Sequence, residues 1–130
     1  MIKVKDRMAT GFQTLDDSST TEDVAKVCAA KKIGSVFITK GGDVKGIVTE
    51  TDLVQKVIAK GLSYSSTLAS DIMSTKLITV EKNASLVDAG DMMDRHHVRH
   101  LGVTDGSDKI IGIISVRDLI HPIYTDGEGW

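Results

Sequence analysis

The sequence is poor in cysteine, in aromatic residues and in long apolar runs, and each shortage excludes a class of protein. Its single cysteine, Cys28, rules out an intrachain disulfide and a zinc site built from several thiolates. A free cysteine behaves as a small hydrophobic residue, and Cys28 shares a helical spacing with Val24 and Val27. We therefore predict that Cys28 packs in the core of a protein from a reducing compartment.

No stretch approaches the ~18 apolar residues of a membrane span, and the start, MIKVKDRMATG, lacks the apolar centre of a signal peptide. These features predict a cytoplasmic protein with no membrane partner. The 16 basic and 18 acidic residues leave a net charge of −2, and 4% of the residues are aromatic. A nearly neutral surface with few stacking side chains disfavours nucleic acid as a partner.

What the sequence does contain is a copy of its own first half. The same residue recurs sixty-five positions later at eight points, where Asp6, Met8, Thr10, Thr14, Asp23, Thr39, Gly41 and Asp43 match Asp71, Met73, Thr75, Thr79, Asp88, Thr104, Gly106 and Asp108. One residue is inserted in the second copy, in DGSDKIIG against KGGDVKG, where Gly, Asp and Ser predict a hairpin turn. Beyond that turn the offset is sixty-six.

Each half has the pattern of a strand, a helix, two strands and a second helix, which predicts an α/β (α+β) fold of two β-α-β-β-α repeats. Capping boxes are predicted to open the first helices, at Ser19 with Glu22 and at Ser85 with Asp88. One face of the helix after Ser85 is predicted to be core, and it carries Leu86, Ala89, Met92 and Met93.

A half of about sixty residues is marginal for independent stability. We therefore expect the repeats, residues 1–66 with an N-terminal lead-in segment and residues 67–130, to pack together about a pseudo-two-fold axis.

A short motif closes the strand-rich part of each half, GIVTETDL at residues 46–53 and GIISVRDL at residues 112–119. In each, a hydroxyl residue stands three positions before an aspartate, Thr49 before Asp52 and Ser115 before Asp118. A hydroxyl and free N–H groups at a helix start suit an anion such as phosphate, the aspartate suits a ribose diol, and the glycine permits close approach of backbone or ligand. The same spacing is that of a helix-capping box, which would serve the fold alone.

These motifs, with VRHLGVTDGSDKI and DIMSTKLITVEKNASLVDA, resemble the cystathionine-β-synthase (CBS) repeat, a tandem pair of which is called a Bateman module. The resemblance covers about residues 4–120. It implies a non-catalytic sensing module that binds AMP, ADP or ATP between the repeats and signals occupancy to a regulated protein of unknown identity. S-adenosylmethionine and NAD are further candidate ligands.

The resemblance also implies a homodimer that pairs through the helices after the two motifs. Apolar residues that exceed the needs of one thin core support this expectation, namely Leu53, Val54, Val57, Ile58, Leu119 and Ile120.

Transferred to this chain, the resemblance assigns three kinds of ligand contact. The hydroxyl and ribose-binding positions are Thr49 and Asp52 in one copy, and Ser115 and Asp118 in the other. The base-contacting positions are Thr67, Ile72 and Met73 opposite Asp52, and Val4, Arg7 and Met8 opposite Asp118. The phosphate-reaching positions are Arg99 and His100, with Arg117 beside the hydroxyl and Ser35 at the place that matches His100.

Three other interpretations compete with this one. His96 and His100 have a spacing that could chelate a metal, but a helix ending near His97 and a strand beginning near Val98 would separate them, so we predict no metal site. The basic cluster Arg95–His100 could bind nucleic acid, and a structural dimeric adaptor with empty pockets is also possible. No catalytic motif is present, so we predict no enzyme.

The two copies differ in charge beside the hydroxyl. The second has Arg117, Arg99 and His100, whereas the first has Glu50 and, at the positions matching Arg99 and His100, Gly34 and Ser35. Because a carboxylate repels phosphate, we predict that the Asp118 site prefers more phosphates and binds more tightly than the Asp52 site.

Overall fold

The computed structural model describes residues 1–120 and divides the chain into two compact units. The middle unit is formed by Phe12–Leu77, and the split unit combines Met1–Gly11 with the chain from Ile78 onward. We call Met1–Gly11 and residues 67–77 the lead-in segments. This division differs from the predicted repeat boundary between residues 66 and 67. Residues 67–77 pack with the strands of the first half, and Met1–Gly11 packs with the strands of the second half.

The middle unit contains a three-stranded sheet with one crossover helix. The elements are β1 (Thr14–Asp16), α1 (Thr21–Lys31), β2 (Ser35–Lys40) and β3 (Asp43–Thr49). The central strand β2 pairs in parallel with β1 and antiparallel with β3. Helix α1 is the connection that a parallel strand pair requires.

Three helical segments complete the middle unit. Helix α2 (Glu50–Asp52) continues directly into a π-helical segment (Leu53–Ile58), and α3 (Ala69–Ile72) lies in the lead-in segment. The core joins these pieces to the sheet and includes the predicted face of α1, with Val24 and Cys28 buried and Val27 packed beside them. The core position predicted for Cys28 is confirmed, and burial raises the pKa of its thiol, with a smaller contribution from the Glu50 carboxylate.

Helix α1 begins one residue later than the sequence predicted. The capping pair is Thr20 with Asp23, in which the Asp23 N–H donates to Thr20 Oγ1 (3.1 Å) and the Thr20 N–H donates to Asp23 Oδ2 (3.0 Å). The predicted pair of Ser19 and Glu22 is therefore wrong. Ser19 is engaged elsewhere, because its carbonyl accepts from the Ala69 N–H (2.7 Å) and so ties the start of α1 to α3.

The split unit repeats the same plan. Its sheet has the order β4 (Thr79–Glu81), β5 (His100–Thr104) and β6 (Ile110–Ser115), and α4 (Leu86–His96) connects the two parallel strands. Both sheets carry an irregularity at matching places in the hairpin, between Ile38 and Thr39 and between Val103 and Thr104. The α/β fold class and the β-α-β-β order of both halves are confirmed.

Of two predictions on α4, one is confirmed in part and the other in full. The Asp88 N–H donates to Ser85 Oγ (3.0 Å), which makes Ser85 the N-cap, but these two residues lack the return bond from the Ser85 N–H to the Asp88 carboxylate that a capping box requires. The predicted apolar face packs in the core of the split unit. Ala89 and Met93 are buried there, and Leu86 and Met92 are partly buried.

The segment after β6 differs from its counterpart after β3. A 3₁₀ helix (Val116–Leu119) follows β6, in place of α2 and the π-helical segment. Leu119 packs against the core, whereas Ile120 is exposed. The remainder of the predicted second helix lies outside the described residues. Within residues 1–120, no helix is long and apolar enough to cross a membrane.

Candidate functional site

The Asp52 site is built where β3 ends and α2 begins. Thr49, the last residue of β3, pairs with Ser35 on β2, and the next N–H, that of Glu50, donates to the Gly34 carbonyl (3.0 Å). Thr49 Oγ1 accepts from the Asp52 N–H (3.2 Å), and Asp52 Oδ2 accepts from the Thr49 N–H (2.9 Å). Both bonds of the predicted capping box are therefore present, and the bond from the Thr49 N–H occupies one oxygen of the carboxylate.

A lysine occupies the other carboxylate oxygen. Lys56 Nζ lies 3.1 Å from Asp52 Oδ1, in a pair whose side chains are 40% and 15% exposed. The same ammonium donates to the carbonyl of Ile72 at 3.0 Å. Sequence reasoning missed Lys56, although an aspartate and a lysine four positions apart on a helix are a recognisable pairing signal.

The lead-in segment of the middle unit lies directly against β3. Ser74 and Ile47 exchange two backbone hydrogen bonds of 2.9 and 3.0 Å. A Cβ placed on Gly46 would lie 2.6 Å from Met73 Sδ and 2.9 Å from the Ser74 carbonyl oxygen. The glycine of the first motif therefore permits close approach, as predicted, and what approaches is the lead-in segment.

The three residues predicted to contact the base opposite Asp52 are placed differently from one another. Met73 lies over Gly46, and Ile72 is buried in the core with its carbonyl bonded to Lys56. Thr67 lies at the start of α1, where its carbonyl accepts from the Thr21 N–H (2.9 Å). The structure thus brings Ile72 and Met73, but not the Thr67 backbone, to the elements that form the Asp52 site.

The Asp118 site has the same framework with a different bond. Ser115 ends β6 and pairs with His100 on β5, and the Val116 N–H donates to the Arg99 carbonyl (2.9 Å). Asp118 Oδ2 accepts from the Ser115 N–H (2.8 Å) and from Ser115 Oγ (3.1 Å). In this site the hydroxyl donates to the carboxylate, whereas Thr49 accepts from a backbone N–H.

The N-terminal lead-in segment lies against β6 in the equivalent manner. Ala9 and Ile113 exchange backbone hydrogen bonds of 2.8 and 2.9 Å, and a Cβ on Gly112 would lie 2.9 Å from Met8 Sδ. Val4 is fully buried in the core, and the N–H groups of Arg7 and Met8 both donate to its carbonyl. Met8 therefore lies beside β6, while Val4 serves the core that holds the segment.

The charged groups near Ser115 have distinct environments. Burial lowers the pKa of His100, the Asp118 carboxylate opposes that shift, and the Arg99 guanidinium adds to it. Arg99 and Arg117 are exposed, as is Glu50 beside Thr49. Ser35, which occupies the position of His100 in the first copy, is buried. The predicted difference in charge between the two sites is therefore present next to the hydroxyl residues.

The two histidines considered for metal binding stand on different elements. His96 ends α4, His97 adopts a left-handed conformation (φ 55°), and β5 begins at His100. The strand thus starts two residues later than predicted. Within the described part of the chain, no group of three or more His, Cys, Asp or Glu side chains could hold a metal ion.

An apolar cavity of about 350 Å³ lies on the middle unit between α1 and the π-helical segment. Its lining comes from Thr21, Glu22, Ala25, Lys26, Ala29, Leu53, Val57, Ile58 and Tyr64. None of the residues assigned to the Asp52 site lines it, so the cavity is a separate feature.

Comparison with known proteins gives a consistent result. Residues 4–59 and 69–124 match the family described as CBS domain. The CBS domain-containing protein YhcV of Bacillus subtilis (strain 168) is 31% identical over 119 residues, which cover 92% of this chain and 84% of the relative.

Two solved structures show the same fold. The CBS-domain containing protein from Agrobacterium tumefaciens has a TM-score of 0.83 at 29% identity, with 90% of each chain covered. A CBS domain protein from Pyrobaculum aerophilum complexed with AMP has a TM-score of 0.83 at 25% identity, with 98% of this chain and 97% of the other covered. Proteins with such domains are generally regulatory and not catalytic. The chain belongs to the CBS domain family and carries two CBS domains in tandem.

Proposed function

We propose that this chain is a regulatory module, not an enzyme, that binds an adenine nucleotide or a related adenosyl ligand and signals occupancy to a partner protein. The observation that carries the proposal is the repeated framework of the two sites. In each, a hydroxyl residue ends the outer strand, and an aspartate lies in the helical turn that follows. A methionine of a lead-in segment lies over the glycine three positions before the hydroxyl. The AMP complex of the relative from Pyrobaculum aerophilum supports an adenosyl ligand.

The Asp118 site is the better candidate for a phosphorylated ligand. Arg99 and Arg117 are exposed near Ser115, and a guanidinium suits phosphate in both charge and shape. His100 pairs with Ser115 across the sheet and can add a proton when an anion binds. AMP, ADP and ATP are therefore the first ligands to test at this site.

The Asp52 site is proposed to be the weaker of the two. Glu50 is exposed at the start of α2, next to the hydroxyl, and would repel a phosphate. Ser35 supplies no charge where the second copy has His100. An adenosyl ligand of lower negative charge, such as S-adenosylmethionine or adenosine, suits this site better than ATP.

The test of the proposed function is a thermal-unfolding screen with AMP, ADP, ATP, S-adenosylmethionine and NAD. A ligand that binds the folded state alone stabilises it by about 2.7 kcal/mol at a hundredfold excess over Kd. For a chain of this size, such stabilisation raises Tm by roughly 5 °C. If none of the five compounds raises Tm at millimolar concentration, the proposed function is wrong.

We also propose that the chain forms a homodimer through the middle unit. Three apolar side chains at or beside the cavity are largely exposed, Val54 by 60%, Ile58 by 63% and Tyr64 by 54%. Exposed apolar residues grouped in this way are typical of a contact with another protein surface. Light scattering should give twice the 14.0 kDa chain mass. Ile58→Asp should shift it to the monomer, while Lys40→Asp, at an exposed residue that ends β2, should not. A monomer at high concentration contradicts this proposal and leaves ligand binding untouched.

A further inference from the structure

Lys56 links two parts of the Asp52 site, the carboxylate of Asp52 and the lead-in segment that carries Ile72. Its ammonium pairs with Asp52 Oδ1 (3.1 Å) and donates to the Ile72 carbonyl (3.0 Å). Asp52 Oδ2 already accepts from the Thr49 N–H. Both oxygens of the carboxylate therefore have a partner from within the middle unit.

The second copy has no lysine at the matching place. Sixty-six positions after Lys56 the sequence has Pro122, which carries no cation. Asp118 directs one oxygen, Oδ2, at both the N–H and the hydroxyl of Ser115. The two aspartates are thus equivalent in sequence but differ in how the fold engages them.

A ribose diol needs acceptor positions on the carboxylate that it contacts. In the ammonium–carboxylate pair both partners are charged, whereas a diol hydroxyl would meet the same carboxylate as an uncharged donor. The Asp52 side chain is only 15% exposed, so solvent screens this pair less than it screens a surface pair. A diol that displaced Lys56 would also break the bond to Ile72, so two interactions of the ammonium oppose its entry.

We propose that Lys56 is a specificity-determining residue that weakens the binding of a ribose diol at the Asp52 site by competing for the Asp52 carboxylate. The inference rests on the proposed function, since it assumes that the site is of the adenosyl-binding kind. It goes further by naming a group that makes the two sites unequal toward an uncharged ligand as well. The Glu50 carboxylate repels phosphate and does not explain a difference toward such a ligand.

The test uses calorimetric titration with adenosine, which carries the diol and no phosphate. The full chain is used with Asp118→Ala as background, so that the remaining binding reports the Asp52 site. Lys56→Met keeps the apolar stem and removes the charge, and it should tighten adenosine binding by about tenfold or more, which is about 1.4 kcal/mol. Lys60→Met, an exposed lysine just beyond the same helical segment, is the matched control and should change nothing.

A matched ligand separates the diol from the base. 2′,3′-Dideoxyadenosine lacks both hydroxyls, so Lys56→Met should not improve its binding. Lys56→Gln, which keeps a polar tip without charge, is a second variant in case Lys56→Met unfolds, and it should show part of the same gain. Thermal unfolding of each variant confirms that the folded protein is being titrated.

The outcomes distinguish this proposal from the proposed function. If the wild type binds adenosyl ligands but Lys56→Met binds adenosine equally or more weakly, Lys56 does not oppose diol binding at the Asp52 site and the proposed function stands. An equal gain for dideoxyadenosine also overturns the role assigned to the diol. If neither the wild type nor any variant binds any of the compounds, both proposals fall.

Discussion

The two halves of this molecule share a backbone plan and differ in the bonds made by their aspartates. Asp52 is held by the Thr49 N–H and by Lys56, whereas Asp118 is held by the N–H and hydroxyl of Ser115. Around Asp118 stand two arginines and a histidine, while Glu50 stands beside Thr49. The comparison teaches that a duplicated framework can be kept for folding while the two sites acquire different electrostatics.

The largest effect is expected from filling the glycines over which the methionines lie. A Cβ at Gly46 would lie 2.6 Å from Met73 Sδ and 2.9 Å from the Ser74 carbonyl, so Gly46→Ala should lower the free energy of unfolding by about 2 kcal/mol. At Gly112 the corresponding contacts, to Met8 and Ala9, are 2.9 and 3.0 Å, so Gly112→Ala should cost less, about 1 kcal/mol. Urea unfolding measures both.

The control for these substitutions is a glycine with room for a side chain. A Cβ at Gly90, within α4, would meet Leu119 at 3.5 Å, an ordinary contact. Gly90→Ala should therefore stabilise the protein, by up to about 1 kcal/mol through helix propensity. A Gly46 variant as stable as the wild type would contradict the close seating of the lead-in segment against β3.

A smaller and equal effect is expected at the two helix N-caps. Thr20 and Ser85 each accept a bond from the N–H three residues later, at 3.1 and 3.0 Å. Thr20→Ala and Ser85→Ala should each lower the free energy of unfolding by about 1 kcal/mol. Markedly different losses would show that the halves differ in their folding framework as well as in their sites.

The smallest expected effect depends on pH and distinguishes His100 from its counterpart Ser35. Burial holds the pKa of His100 below its usual value of 6.5, despite the opposing Asp118 carboxylate. As the pH falls, His100 is therefore protonated in the unfolded chain at a higher pH than in the folded protein. The stabilising contribution of neutral His100 is therefore complete above pH 6.5 and is lost as the pH falls toward the pKa of the folded state.

Unfolding at about pH 7.5 and about pH 5.5 measures this contribution. The wild type should lose more stability between the two than His100→Gln, and His96→Gln, at an exposed histidine, should behave like the wild type. An identical loss in the wild type and His100→Gln would show that this histidine does not resist protonation in the folded protein.

Much of the fold could be predicted from the sequence because its signals are local. The recurrence of Met8 as Met73 marked the repeat, and the spacing of Val24 and Cys28 marked the inner face of α1. The exact start of α1 could not be predicted, because Ser19 and Thr20 are both good caps. The choice between them depends on the bond from Ser19 to Ala69, fifty residues away.

The pairing of hydroxyl and aspartate could be predicted from the sequence, but the bonds within each pair could not. Spacing paired Thr49 with Asp52 and Ser115 with Asp118. It did not indicate that the Thr49 hydroxyl would accept a hydrogen bond and the Ser115 hydroxyl would donate one. The pairing of Lys56 with Asp52 follows a known helical spacing, but its second bond, to a backbone carbonyl of another segment, depends on tertiary packing.

The central claim is that this chain binds an adenosyl ligand at two unequal sites, with the Asp118 site stronger toward phosphates. Calorimetric titration of ATP into the wild type, Asp118→Ala and Asp52→Ala tests it most directly. We expect Asp118→Ala to weaken ATP binding by tenfold or more, about 1.4 kcal/mol, and Asp52→Ala to change it little. Equal losses in the two variants would contradict the inequality of the sites. No loss in either would show that both aspartates only cap helices, and would contradict the site assignment altogether.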